Sequence, residues 1–98
     1  MTIEKTKNGS ALLIALSGRL DTITAPNLEA ELKEALGGVE ELTFDLEKLD
    51  YISSAGLRVL LSAQKTMNRQ GSMKVQHPNE IISEIFEVTG FSDILTIE

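Results

Sequence analysis

The apolar residues of this chain change their spacing repeatedly from one segment to the next, and that change of period restricts the fold more than any other feature. Ala11-Leu12-Leu13-Ile14-Ala15-Leu16 is a continuous apolar run, as expected of a central strand. Leu28, Leu32, Ala35 and Leu36 then recur at the spacing of one helix face, with Thr24 as candidate N-cap, Pro26 in the first turn and Gly37-Gly38 to end the helix. Leu42-Thr43-Phe44-Asp45-Leu46 alternates with a period of two, the mark of a half-buried strand. Leu57, Leu60, Leu61 and Met67 predict a second helix over Ala55 to Arg69, stopped by Gly71, and Met73 to Gln76 a short strand. Pro78-Asn79 opens a third helix bearing Ile81, Ile82, Ile85 and Phe86; Gly90 closes it, Phe91 packs back on it, and Ile94 to Ile97 reads as a short last strand. Upstream, residues 2 to 7 alternate weakly and Asn8-Gly9 signals a tight turn, so the chain starts with a hairpin.

The order is therefore β-β-α-β-α-β-α-β. Strands that alternate with helices build a largely parallel sheet, and the opening hairpin makes it mixed, so the expected fold is α/β with four to five strands covered by three helices. Leu13, Leu28, Leu32, Phe44, Leu60, Ile82 and Ile85 are the expected core. A length of 98 residues suits one compact domain, and without a repeat, linker or low-complexity tract the whole of residues 1–98 is read as that domain.

Composition removes several classes of function. Nine Lys and Arg face fifteen Asp and Glu, a net charge of −6 with no basic cluster, which argues against nucleic acid as a partner. With no cysteine, disulfides, thiolate metal sites and cysteine nucleophiles are out. The first residues, Met1-Thr2-Ile3-Glu4-Lys5, do not form a signal peptide, and no apolar stretch nears the ~18 residues of a membrane span, so a cytoplasmic protein without membrane insertion is expected.

The segment richest in chemistry is Leu49-Asp50-Tyr51-Ile52-Ser53-Ser54-Ala55-Gly56-Leu57-Arg58, where two hydroxyls and two small residues lie between a strand and a helix. On the plainer reading one serine hydroxyl caps the helix by accepting from a free N–H of its first turn. On the functional reading a serine at that place also suits a phosphate, because the helix dipole and the unpaired N–H groups favour negative charge there.

This stretch resembles the STAS family, and within it the single-domain anti-sigma factor antagonists, whose loop of the form Asp-Ser-Ser-Gly-Leu or Ser-Ser-Ala-Gly-Leu precedes a helix. Alignment on Gly56-Leu57 puts the family's phosphorylated serine at Ser54, with Ser53 where the family often has Asp. Leu16-Ser17-Gly18-Arg19-Leu20-Asp21 is similar to the family's Leu-x-Gly-x-Leu-Asp segment, whose aspartate points toward that loop. Asp21 also has a plain alternative role as the cap of a turn or of the first helix. The resemblance implies a STAS domain that binds an anti-sigma factor serine kinase when unphosphorylated, is released when that kinase phosphorylates Ser54, and is restored by a serine phosphatase. Asp21, Thr22, Ser53, Ser54, Gly56, Leu57 and Arg58 would then meet the partner. The alternative is a regulatory or scaffold subunit of a lipid-transport ATPase or of a stress-sensing complex.

No enzyme is expected, and no cofactor. A Ser-His-Asp hydrolase drawn from Ser54, His77 and an aspartate lacks its Gly-x-Ser-x-Gly elbow, since Ile52 and Gly56 hold the flanking positions. Gly37-Gly38 is not followed by Gly-Lys-Ser or Gly-Lys-Thr, so no nucleotide-hydrolase phosphate loop is present. His77 is the only histidine and, without a cysteine or a second histidine, reads as a surface loop residue rather than a metal ligand.

Overall fold

The computed structural model describes residues 1–98. Gly9, at φ 62°, takes the left-handed conformation that a hairpin turn needs and joins β1 (Thr2–Asn8) to β2 (Ala11–Leu20) antiparallel, with Asn8 opposite Ala11 and Thr2 opposite Ser17. After α1 (Ala25–Ala35), β3 (Glu41–Ile52) returns parallel to β2. After α2 (Ser54–Gln70), β4 (Ser72–Gln76) adds parallel to β3, giving one sheet in the order β1-β2-β3-β4. α3 (Glu80–Val88) and a 3-10 turn (Phe91–Asp93) follow. In place of the expected last strand, Ile97 makes a single parallel bridge to Val75, so the sheet has four strands with a short cover on its β4 edge.

The strand order explains where the core lies. From β2 through β4 the sheet grows in one direction, and parallel crossovers are right-handed, so consecutive crossover helices fall on the same face. That face carries Leu12, Ile14, Leu16, Leu42, Phe44, Leu46, Met73 and Val75, all buried, and the helices add Leu28, Leu32, Leu60, Met67, Ile82 and Phe86. One cluster of 24 buried apolar residues results. The opposite face carries Thr6, Leu13, Thr43, Asp45, Lys74 and Gln76, half-buried or exposed.

Leu13 is therefore a correction to the expected core: it stands between Thr6 and Thr43 on the open face and is 38% exposed. An unbroken apolar run suggests a strand covered on both faces, but the one-way strand order leaves one face bare. Ile85 is partly buried and packs against the core from its edge, whereas Ile81 points outward. α3 is held to β3 by Asn79, whose Oδ1 accepts from the N–H of Ile82 at 2.8 Å while its Nδ2 donates to the carbonyls of Leu49 and Asp50 at 3.2 and 3.3 Å.

Urea denaturation should separate the two faces. Leu60, fully buried, should lose about 2–5 kcal/mol on replacement by Ala. Leu13→Ala should lose less than about 1 kcal/mol. Equal losses would mean that the open face is covered after all.

Candidate functional site

The two motifs singled out in the sequence meet at one end of the sheet. Leu20, the last residue of β2, pairs with Ile52, the last of β3, and the N–H of Ser53 donates to the Leu20 carbonyl at 2.9 Å. The loops beginning at Asp21 and at Ser53 therefore leave the sheet side by side. Thr22, Ala55 and Arg58 line one shallow depression between them, with Ala25, Pro26 and Glu29 on its α1 side.

Asp21 organises its own loop. Its Oδ1 accepts from the N–H of Ile23 at 3.0 Å and the N–H of Thr24 at 3.1 Å, and lies 3.2 Å from the Thr24 hydroxyl, whose one proton it shares with the Arg19 carbonyl. The Thr24 hydroxyl in turn donates to the Arg19 carbonyl at 2.8 Å and accepts from the N–H of Asp21 at 2.9 Å, and the Asp21 carbonyl accepts from Ala25 N–H at 2.8 Å. The N–H of Thr24 chiefly, then that of Ile23, the Thr24 hydroxyl and the Arg19 guanidinium at 3.6 Å, hold the Asp21 carboxyl below its ordinary value against a smaller opposing effect of burial. Arg19 also lies over the Tyr51 ring, 4.6 Å from its centre, tying the ends of β2 and β3 together. Thr24 stands at the N-cap of α1, but its hydroxyl is used in this loop and does not cap the helix.

The two serines differ sharply. Ser53 is the N-cap residue of α2 by position, yet its hydroxyl makes no cap bond; its Oγ is buried and without a partner. Ser54, the first residue of the helix, is exposed, as is Arg58 one turn on. The expected hydroxyl cap is thus absent at both serines, and with no acidic residue in the first turn the positive end of α2 is left without a neutralising group.

Gly56 and Leu57 are interior residues. A Cβ on Gly56 would lie 2.7 Å from Leu20 Cγ, 2.8 Å from Ile52 Cγ1 and 3.0 Å from the Leu20 carbonyl, so only glycine lets α2 start this close to the two strand ends. Leu57 is 5% exposed and belongs to the core. Both were expected at the partner surface; what they do is seat the loop, leaving Thr22, Ser54 and Arg58 exposed and Asp21 half-exposed. Ile23, which the sequence reading passed over, is 83% exposed on the Asp21 turn. Its signal was an isoleucine inside a run of turn-forming polar residues.

His77 has neighbours that its sequence position concealed. Its Nδ1 lies 3.2 Å from Asp45 Oδ1, and the ligand atoms of Asp45, Glu47 and His77 lie within 4.8 Å of one another, a donor set of two carboxylates and an imidazole on the open face. The N–H of Glu47, donating to Asp45 at 3.0 Å, is the main cause of a lowered Asp45 pKa, with His77 assisting. These residues lie well back along β3 from Ser54.

A four-stranded mixed sheet with its helices on one face and a serine-bearing helix start at the end of its central parallel pair defines a class of small α/β modules. The chain belongs to the STAS domain family, whose model matches residues 2–98. Among its relatives, BtrV of Bordetella bronchiseptica, provisionally named an anti-sigma factor antagonist, is 35% identical over 99 residues, which cover 99% of this chain and 85% of that one. The anti-sigma-B factor antagonist of Bacillus subtilis is 26% identical over 98 residues, 99% of this chain and 90% of that one. The anti-sigma factor antagonist SpoIIAA has the same fold: its unphosphorylated form superposes with a TM-score of 0.86 at 17% identity over 99% of this chain and 88% of that one. The phosphorylated form of the Bacillus protein gives 0.77 at 18% identity, over 99% and 91%.

Two outcomes test this geometry. Gly56→Ala should cost about 1–3 kcal/mol by forcing α2 away from Leu20 and Ile52, read as a lower urea midpoint. The Asp21 turn should weaken in acid: with its folded pKa below the ordinary 3.8, the carboxylate's contribution is complete above that value and is lost as pH falls through the lower folded one. Asp21→Asn, which keeps an acceptor oxygen without a charge to titrate, should therefore flatten the loss of stability below about pH 4.

Proposed function

We propose that this protein is an anti-sigma factor antagonist, controlling sigma-factor-dependent transcription from the cytoplasm by binding an anti-sigma factor serine kinase, and that it is a switch rather than an enzyme. The single observation that carries the reading is the contrast between the serines at the end of the β2–β3 pair: Ser54 is exposed at the helix start, while the Ser53 hydroxyl is closed off. The names of the relatives that align along nearly the whole chain support it.

Unphosphorylated, the surface formed by Thr22, Ser54 and Arg58, with the Asp21 turn beside it, fits against the kinase. The kinase then transfers the terminal phosphoryl group of ATP to the Ser54 oxygen, which gives up its proton as ADP leaves. The product is stable on its own because the free N–H groups of the first turn of α2, and Arg58 four residues on, can receive the new oxygens. It is not stable inside the interface, where roughly −1.5 to −2 charges would have to be buried against a surface fitted to a neutral hydroxyl. Release follows without a change of fold. A serine phosphatase resets the switch.

The purified cognate kinase with ATP should add one phosphate to the wild-type protein and none to Ser54→Ala, by intact-mass and peptide mass spectrometry. Ser54→Ala should still bind the kinase, and Ser54→Asp should bind much more weakly. Phosphate on Ser53 would move the switch by one residue. No phosphate with any such kinase, combined with unimpaired partner binding by Ser54→Asp, would favour the transporter or stress-complex subunit.

A further inference from the structure

Asp21 was expected to touch the partner, yet its carboxylate is already engaged: one oxygen accepts two backbone hydrogen bonds within its own loop, with the Thr24 hydroxyl beside it, and the other faces Arg19. What this bonding holds outward is Ile23, 83% exposed, the largest exposure among the large apolar side chains. An isoleucine in that position gains nothing for the folded monomer, since it removes almost none of its surface from water. Its backbone, by contrast, is fixed, with its N–H on Asp21, the Thr24 hydroxyl after it tied to Arg19 and the Asp21 carbonyl tied to Ala25.

We infer that Ile23 is an apolar anchor by which the proposed kinase partner recognises this protein, and that Asp21 is a positioning residue acting through it. The inference rests on the reading of the Ser54 surface given above. Ile23 belongs to that surface: Leu20 is hydrogen-bonded to Ser53, and three residues of chain carry Ile23 no more than ~11 Å from it. A standard interface of ~800 Å² per partner is roughly 30 Å across and spans both. With the backbone already fixed, docking costs only the rotamer freedom of the side chain itself, which suits an anchor that fills a partner's pocket. The occupant is accordingly a kinase face with an apolar socket beside the catalytic cleft that reaches Ser54. Phosphate at Ser54 would then dislodge the complex while the anchor is unaltered, so the anchor sets which kinase binds and the serine sets when.

The test uses the full chain and each purified small ATPase-fold serine kinase encoded in the same genome, with affinity measured by calorimetry. Ile23→Ala should weaken binding ~10-fold or more, mostly through faster dissociation, with an unchanged melting temperature in the free protein. Ile23→Leu should restore most of the affinity. Asp21→Ala should also weaken binding, and the double variant should lose less than the two separate losses combined, because both act on one anchor. Additive losses, or an Asp21→Asn variant whose binding falls and loses its salt dependence, would give Asp21 a direct charged contact and overturn the positioning role. Wild-type binding that Ile23→Ala leaves intact would overturn the anchor alone. If no kinase binds the wild-type chain, the proposed function fails and the anchor with it.

Discussion

The parallel pairing of β2 with β3 governs the rest of this molecule. β2 has 10 residues and β3 has 12, and two shifts of register, between Ala15 and Ser17 and between Gly18 and Arg19, absorb the difference so that the strands finish level at Leu20 and Ile52. A bulge adds a residue to one strand of a pair and bends it locally. Had the strands finished out of step, the loops carrying Asp21 and Ser54 would leave the sheet at different heights. The Ser53 N–H then continues the ladder one bond past the strands, and Gly56 lets α2 close on the same spot.

Much of this was legible because the relevant forces are local. The turn at Asn8-Gly9, the helix stop at Gly71 and the cap at Asn79 each follow from a few adjacent residues, and the order of elements followed from the change of period. The STAS resemblance singled out the two loops that the fold brings side by side. What could not be read depended on tertiary arrangement. Leu13 was misplaced because a sequence does not say which face of a sheet its crossovers leave bare. The Ser53 hydroxyl, expected as a cap, is buried without a partner although the backbone has the extended shape of a cap residue, and its side-chain orientation is not legible in the sequence. Gly56 and Leu57 belong to a motif that reads as surface, although their service is to the packing beneath it. The Asp45, Glu47 and His77 group joins residues from two separate segments and had no local signature.

On the proposed reading, the site would be a charge switch on a rigid scaffold. The end of α2 is electrically unfinished, with no acid and no hydroxyl cap in its first turn, and that state is tolerable because Ser54 faces water. On the proposed reading, phosphate at Ser54 would complete the helix end locally while making the same surface unfit for burial. One group would therefore have opposite effects on the free and the bound protein.

The two margins of the sheet are dressed differently. Along β1, Glu4, Lys5 and Lys7 are exposed, and charged residues on an outer strand discourage another chain from pairing with it. Along β4, the final residues supply the cover: Val75 exchanges hydrogen bonds with the Thr96 carbonyl and the Glu98 N–H, at 2.8 Å each. Backbone that could recruit a neighbour indiscriminately is thus repelling on one side and occupied on the other. For a protein proposed to work by forming and dissolving one contact at a time, both sheet edges are thus closed to strand-by-strand self-association, which would leave the loop end beyond Leu20 and Ile52 as its selective point of adhesion.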